Sequence, residues 1–255
     1  MASNLKDSID AVIFDVDGVL IDVRPSYHKA IYETFKYYTN KDLTKEDFLF
    51  VKKEAGINND WESTSVLILM EFGYITKEEA INYTKNQTSL QRKIFENPYF
   101  NYQELVEVFE AFYKKFREKE KLLVDKDFLE NVKRRYKTGI VTGRPREDLM
   151  FSLKHFDIEH MFDFIVDDDF TEDKTKRKPS KEALKACVDA ICKKGGVYIG
   201  DTISDIMMVK HYNEAYKPLI YYIHCDFYGN ETNQLPKEYI YIIAKTQKDL
   251  ENALL

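Results

Sequence analysis

Asp15 and Asp17 close a short apolar run, Ala11-Val12-Ile13-Phe14, and Gly18 breaks the chain directly after them. A β-branched apolar run this short near the start of a chain reads as a buried parallel strand. The carboxyl end of such a strand is where open α/β sheets bind their ligands. Carboxylates at that end are placed for chemistry, Asp15 to attack and Asp17 to move protons. An Asp-x-Asp-Gly string also arises by chance in about one chain in twenty of this length, so the reading depends on three further segments.

Residues 138–144 (TGIVTGR) give a second short strand, ending in a hydroxyl residue, a glycine and an arginine. Pro145 suits the first turn of the helix that follows, PREDLMFSLKHFDI. Its Leu149, Met150, Leu153 and Phe156 share an apolar face, and Glu147 and Asp148 lie in its first turn. Thr142 therefore sits at a strand-to-helix corner, where its hydroxyl and free backbone N–H groups could hold a phosphate oxygen. The same residue would serve equally as an ordinary helix cap. Lys178 directly precedes the helical pattern KEALKACVDAICKK and could neutralise a nucleophilic carboxylate and a bound phosphate, or be one more solvated charge in the run Lys176-Arg177-Lys178. The last segment, GVYIGDTISD, is an apolar strand ending in Gly200 and Asp201; a helix starting after Asp201 would bring Asp205 back over its first turn.

In this order Asp15-Val16-Asp17-Gly18-Val19, Thr142-Gly143-Arg144, Lys178-Pro179 and Gly200-Asp201-Thr202 with Asp205 resemble the motif set of the haloacid dehalogenase superfamily of phosphatases and phosphotransferases. The resemblance covers residues 8–23 and 125–255 and extends to the strings VTGRPREDLMFSLKHFDI and KPSKEALKA. Within the superfamily the chain is similar to the group with a helical cap inserted after the first motif, alongside phosphoglycolate phosphatases and β-phosphoglucomutases. After Asp205 the stretch IMMVKHYNEAYKPLIYYIHC departs from the pattern, lacking the small residues often found there.

The resemblance implies an α/β fold: a doubly wound, Rossmann-like parallel-sheet core carrying an inserted all-helical cap. It implies that Asp15 attacks phosphorus to form an aspartyl-phosphate, while Asp17 protonates the leaving oxygen and then activates water. Gly18, Thr142, Gly143 and Lys178 would hold the phosphoryl group. Four carboxylates meeting a phosphate is otherwise unfavourable, since each like-charge pair at ~4 Å costs about 1 to 4 kcal/mol at effective dielectrics of 80 to 20. A divalent cation is therefore expected, and an all-oxygen ligand set favours Mg²⁺. By resemblance its ligands are Asp15, the backbone carbonyl of Asp17, and Asp201, with Asp205 orienting a metal-bound water. Asp17 also argues against dehalogenation, because hydrolytic dehalogenases of this fold lack an acid/base carboxylate there.

Composition fits a core domain with one insertion: 255 residues, 44% hydrophobic and 14% aromatic. The net charge of −6 disfavours a nucleic-acid partner. No stretch is apolar enough to cross a membrane and the N-terminus lacks a signal pattern, so a cytoplasmic protein is expected. Cys187, Cys192 and Cys225 show no metal-ligand spacing and read as reduced packing residues. Helical patterns fill residues 24–124, at 25–38, 45–55, 61–72, 77–97 and 102–121. Leu105, Val108, Phe109, Phe112 and Phe116 recur at helical spacing as a packing face. From residue 180 onward helix and strand patterns alternate, with LIYYIHC and YIYIIA as further strands.

The expected organisation is a catalytic core of residues 1–23 and 125–255 and a helical cap of residues 24–124, with a substrate bound between them. In the cap, the turn Gly56-Ile57-Asn58-Asn59-Asp60-Trp61, preceded by Lys52, matches the position of the family's specificity loop. Asn58, Asn59 and Trp61 could meet the substrate beyond its phosphate, and Lys52 could reach a carboxylate or second phosphate. An ordinary interhelical turn with Asp60 as cap and Trp61 as packing fits the same residues. The expected activity is an Mg²⁺-dependent phosphatase acting on a small phosphorylated metabolite; a β-phosphoglucomutase-type phosphosugar mutase and a non-catalytic phosphometabolite-binding protein are the alternatives.

Overall fold

The Ala11–Phe14 run is buried along its whole length, as a strand covered by helices on both faces must be. In the computed structural model, which describes residues 5–57, 59–82, 87–229 and 235–255, it lies near the middle of a sheet of six parallel strands. The strands in chain order are β1 (Ala11–Phe14), β2 (Ile21–Asp22), β3 (Lys121–Leu122), β4 (Lys137–Val141), β5 (Phe164–Val166), β6 (Gly196–Gly200), β7 (Ile220–Cys225) and β8 (Ile242–Ala244). The helices are α1 (Leu5–Ser8), α2 (Lys29–Thr39), α3 (Lys45–Leu49), α4 (Asp60–Glu71), α5 (Lys77–Ile81), α6 (Gln87–Phe95), α7 (Tyr102–Phe116), α8 (Lys126–Arg135), α9 (Arg146–His155), α10 (Lys181–Ile191), α11 (Ile203–Ala215) and α12 (Gln247–Leu254).

The sheet order is β5-β4-β1-β6-β7-β8, doubly wound outward from β1. Ala11, Ile13, Val141, Tyr198 and Tyr222 face α10 and α11 in one apolar cluster with Leu184, Val188, Ile206 and Met208. Register then decides what meets at the carboxyl edge. Phe14 pairs with both Ile140 and Ile199, so the next residues along each strand, Asp15, Val141 and Gly200, come level, with Thr142 and Asp201 one step beyond. The Asp15 amide donates to the Ile199 carbonyl at 2.8 Å, holding that level.

The chain divides into two compact units, Met1–Asp22 with Lys121–Leu255, and Val23–Glu120. The re-entry point falls at 120/121 rather than at 124/125, because β3 pairs antiparallel with β2 and so belongs to the sheet-bearing unit. The second unit is helical. In it α2 packs on α4 and α7, and Tyr27 stacks on Tyr113 with ring centroids 4.1 Å apart. The buried face of α7 is Leu105, Phe109, Tyr113 and Phe116, so the seam passes through Tyr113 while Val108 and Phe112 lie at its edge. The pattern read as one helix over 77–97 is two, α5 and α6.

Candidate active site

Each candidate residue of the first unit is delivered by a strand end or a helix start. Asp15 follows β1, and its Oδ1 accepts the Val16 amide at 2.8 Å. Lys178 lies shortly before α10, and its Nζ stands 2.7 Å from Asp15 Oδ2 and 2.8 Å from Asp205 Oδ1, all three side chains being buried. Asp205 is the third residue of α11 and forms a capping box with Thr202: its Oδ2 accepts from the Thr202 amide and hydroxyl at 3.1 and 2.7 Å. Carboxylate oxygens of Asp15, Asp201 and Asp205 lie within 4.8 Å of one another.

Two glycines make this approach possible. Gly18 has φ +74°, and a Cβ there would stand 2.1 Å from Asp201 Oδ2. At Gly200 a Cβ would stand 2.7 Å from Asp205 Cγ. The side of Gly18 that a Cβ would fill is occupied by the Asp201 carboxylate.

Electrostatics follows from two buried acids, Asp15 and Asp205, and a half-buried one, Asp201, sharing one ammonium. Burial pushes the Asp15 carboxyl up to about 7 against the pull of Lys178, and repulsion from Asp205 and Asp17 adds to the rise. Asp201 is raised well above the usual range, by burial first and then by Asp15 and Asp205. Asp205 moves down: burial opposes ionisation, but Lys178 and the Thr202 donors outweigh it. Lys178 is raised in turn, since Asp15 and Asp205 outweigh the burial that would lower it. Lys178 bridges Asp15 and Asp205, and one ammonium among three carboxyls leaves the cluster with more acid than cation. An all-oxygen site with excess negative charge in low dielectric fits a hard divalent cation. Each Asp205 oxygen already meets two protein donors, Lys178 and Tyr198 at Oδ1 and the Thr202 amide and hydroxyl at Oδ2, whereas each Asp15 oxygen meets one, so Asp15 and Asp201 are better suited than Asp205 to direct ligation.

Thr142 is buried at the end of β4 and its hydroxyl accepts the Arg144 amide at 3.2 Å. The N-cap of α9 is Pro145, so Thr142 is not that helix's cap, and the hydroxyl keeps its own proton to donate. Gly143 is exposed beside it. Asp17 is paired with Arg144, its Oδ1 lying 2.5 Å from the Arg144 Nε.

Two residues near this site were given no role in the sequence reading. Arg144 was read only as part of the Thr142-Gly143-Arg144 string. Tyr198, on β6, was read as strand core; its hydroxyl lies 3.0 Å from the Val141 carbonyl and 3.1 Å from Asp205 Oδ1, linking the end of β4 to α11. The signal was present in principle, because a buried tyrosine must find a partner for its hydroxyl.

The cap residues lie in the second unit and are engaged within it. Lys52 pairs with Asp60 at 2.9 Å. Asn59, rather than Asp60, caps α4 by accepting the Glu62 amide, and Trp61 Nε1 donates to Glu110 at 2.9 Å. Asn58 lies outside the described residues.

A doubly wound sheet with an acidic, lysine-bridged cluster at its carboxyl edge is the framework of an α/β hydrolytic or phosphoryl-transfer enzyme. The profile of the haloacid dehalogenase-like hydrolases matches residues 9–213, and the chain belongs to that family. Among curated proteins it is 28% identical over 211 residues to an imidazoleglycerol-phosphate dehydratase of Phytophthora nicotianae, a match covering 80% of this chain and 41% of that protein. The chain thus spans about two fifths of that relative's length. Solved structures with this fold include a candidate phosphoglycolate phosphatase from Lactobacillus delbrueckii (TM-score 0.70, 19% identity, 96% of this chain and 98% of that one). Phosphatase Tt82 from Thermococcus thioreducens has TM-score 0.67 and 24% identity over 95% and 98% of the chains. A candidate β-phosphoglucomutase from Thermotoga maritima has 0.62 and 18% over 96% and 100%. At these identities the likeness establishes the fold. Among the described residues no helix is long and apolar enough to cross a membrane.

Proposed function

We propose that this protein is a phosphatase that hydrolyses a small phosphomonoester through a phosphoryl group carried on Asp15. The observation that supports this most is the constellation around Asp15: a buried carboxylate beside Lys178, with Asp201 and Asp205 within reach. A structural ion pair would not need two further acids beside it.

In this reading an Asp15 oxygen attacks phosphorus as the bond to the ester oxygen breaks, and Asp17 gives its proton to that oxygen, releasing an alcohol. Water then attacks phosphorus with Asp17 as base, the acyl-phosphate bond breaks, and Asp15 and inorganic phosphate are restored. Lys178 and Thr142, with backbone N–H groups near Gly18 and Gly143, hold the non-bridging oxygens. Asp15, Asp201 and the Asp17 carbonyl would hold Mg²⁺, with Asp205 keeping Lys178 and the start of α11 in place. When bound, the cation offsets charge on the carboxylates and phosphoryl oxygens.

The test is a phosphate-release screen with Mg²⁺ over phosphoglycolate, sugar, polyol and nucleotide monophosphates. Imidazoleglycerol phosphate is included because of the Phytophthora relative. Release of inorganic phosphate from at least one ester, abolished in Asp15→Asn, is the expected result. A phosphorylated isomer in place of free phosphate would show a mutase, and no turnover of any ester would overturn the reading.

A further inference from the structure

Arg144 is among the largest fully buried side chains of the described residues, yet it is a cation. Its side chain is 1% exposed. A guanidinium so enclosed is strongly unfavourable unless its donors are met, and a core position of that size is ordinarily filled by an apolar residue. Its Nε meets Asp17 Oδ1 and its Nη1 meets Ser152 Oγ on α9 at 2.7 Å. The backbone is fixed as well. Its amide donates to Thr142 Oγ1 at 3.2 Å, and its carbonyl accepts the Asp168 amide at 2.9 Å.

Asp17, by contrast, is 36% exposed at its side chain and is followed by Gly18 at φ +74°. A short carboxylate on such a turn has several rotamers open to it, and the fixed guanidinium selects one.

We infer that Arg144 is a positioning residue for proton transfer: it holds Asp17 in the orientation from which it serves the leaving oxygen and then the attacking water. The inference rests on the phosphatase reading above and adds to it a residue that touches neither substrate nor metal. Because Thr142 and Arg144 belong to one three-residue turn, the group that meets the phosphate and the group that aims the acid are set by the same piece of backbone.

Leaving-group dependence tests this. An alkyl phosphate needs its leaving oxygen protonated, whereas p-nitrophenyl phosphate releases a phenolate that does not. Since kcat/KM reports only steps through phosphoryl transfer to the enzyme, Arg144→Met should lower it about 100-fold for the fastest alkyl phosphate of the screen. For p-nitrophenyl phosphate the loss should stay under about fivefold, with KM for both changed less than about threefold. Arg144→Lys should restore part of the alkyl activity, the point charge lacking the fork. Should Arg144→Met fail to fold, Ser152→Ala loosens the guanidinium and leaves its charge in place; it should lower the alkyl ester by about threefold or more and spare the aryl ester. Equal losses for the two esters in the folded variants would overturn the assignment of Arg144 alone. A wild-type protein that turns over neither ester would overturn the phosphatase reading and this inference with it.

Discussion

Replacing Gly18 by alanine separates what the backbone needs at this position from what the site needs. The first cost is conformational: an L-residue at φ +74° is held in the left-handed region, at about 1–2 kcal/mol. For a folded unit of this size that lowers Tm by roughly 2–8 °C. The second cost is steric. The new Cβ would stand 2.1 Å from Asp201 Oδ2, where side chains essentially never approach within 3.0 Å, so the carboxylate must give way. A displacement of about 1 Å at a reacting centre costs on the order of 100-fold, or about 2.7 kcal/mol of transition-state stabilisation. Gly73 is the control, with φ +70° and nothing within 4 Å of its Cβ position, so Gly73→Ala carries the strain without the clash. Steady-state kinetics with thermal unfolding should show both variants less stable, Gly18→Ala reduced about 100-fold in kcat/KM, and Gly73→Ala within about twofold of wild type. Gly18→Ala retaining more than half the wild-type kcat/KM would refute the claim that this glycine exists to admit Asp201.

Three further outcomes are expected. Tyr198→Phe removes the hydroxyl lying between the Val141 carbonyl and Asp205; thermal unfolding should show a loss of about 1–3 kcal/mol, with kcat/KM falling severalfold, and a variant as stable and active as wild type would contradict the linking role. Chelation should abolish phosphate release and Mg²⁺ should restore it, whereas Ca²⁺, which takes more ligands, should inhibit; full activity in a metal-free preparation would contradict the reading of the acidic cluster. Asn59→Ala should destabilise the helical unit by about 1 kcal/mol by removing the cap of α4, and an unchanged unfolding curve would show that cap to be dispensable.

Much of the core was legible because its elements are local and its register is fixed by apolar runs. Ala11–Phe14, the run ending at Val141 and the run ending at Gly200 each stop where polarity begins, so aligning the buried parts aligned the polar ends. Side-chain partnerships across strands were not legible. Nothing in the order of residues says that Asp17 pairs with Arg144, or that the Tyr198 hydroxyl meets Asp205. In the helical unit, periodicity located the helices but gave the wrong neighbours on α7, where Tyr113 is buried and Phe112 is not, because which part of an apolar stripe is covered depends on the crossing helices α2 and α4. The break before α4 was legible. The ordinary-turn reading offered Asp60 as the cap, one residue late, because adjacent Asn and Asp cap equally well by type.

The central claim is that phosphate passes through the carboxylate of Asp15. Quenching the protein in acid during turnover of its best ester, followed by proteolysis and tandem mass spectrometry, reads this directly, since an acyl-phosphate survives acid and is removed by hydroxylamine. The predicted result is a hydroxylamine-sensitive phosphoryl group on Asp15, formed only with Mg²⁺ and missing in Asp15→Asn. Steady turnover with the phosphoryl group on another residue, or with Asp15→Asn still releasing phosphate at a rate near wild type, would contradict it.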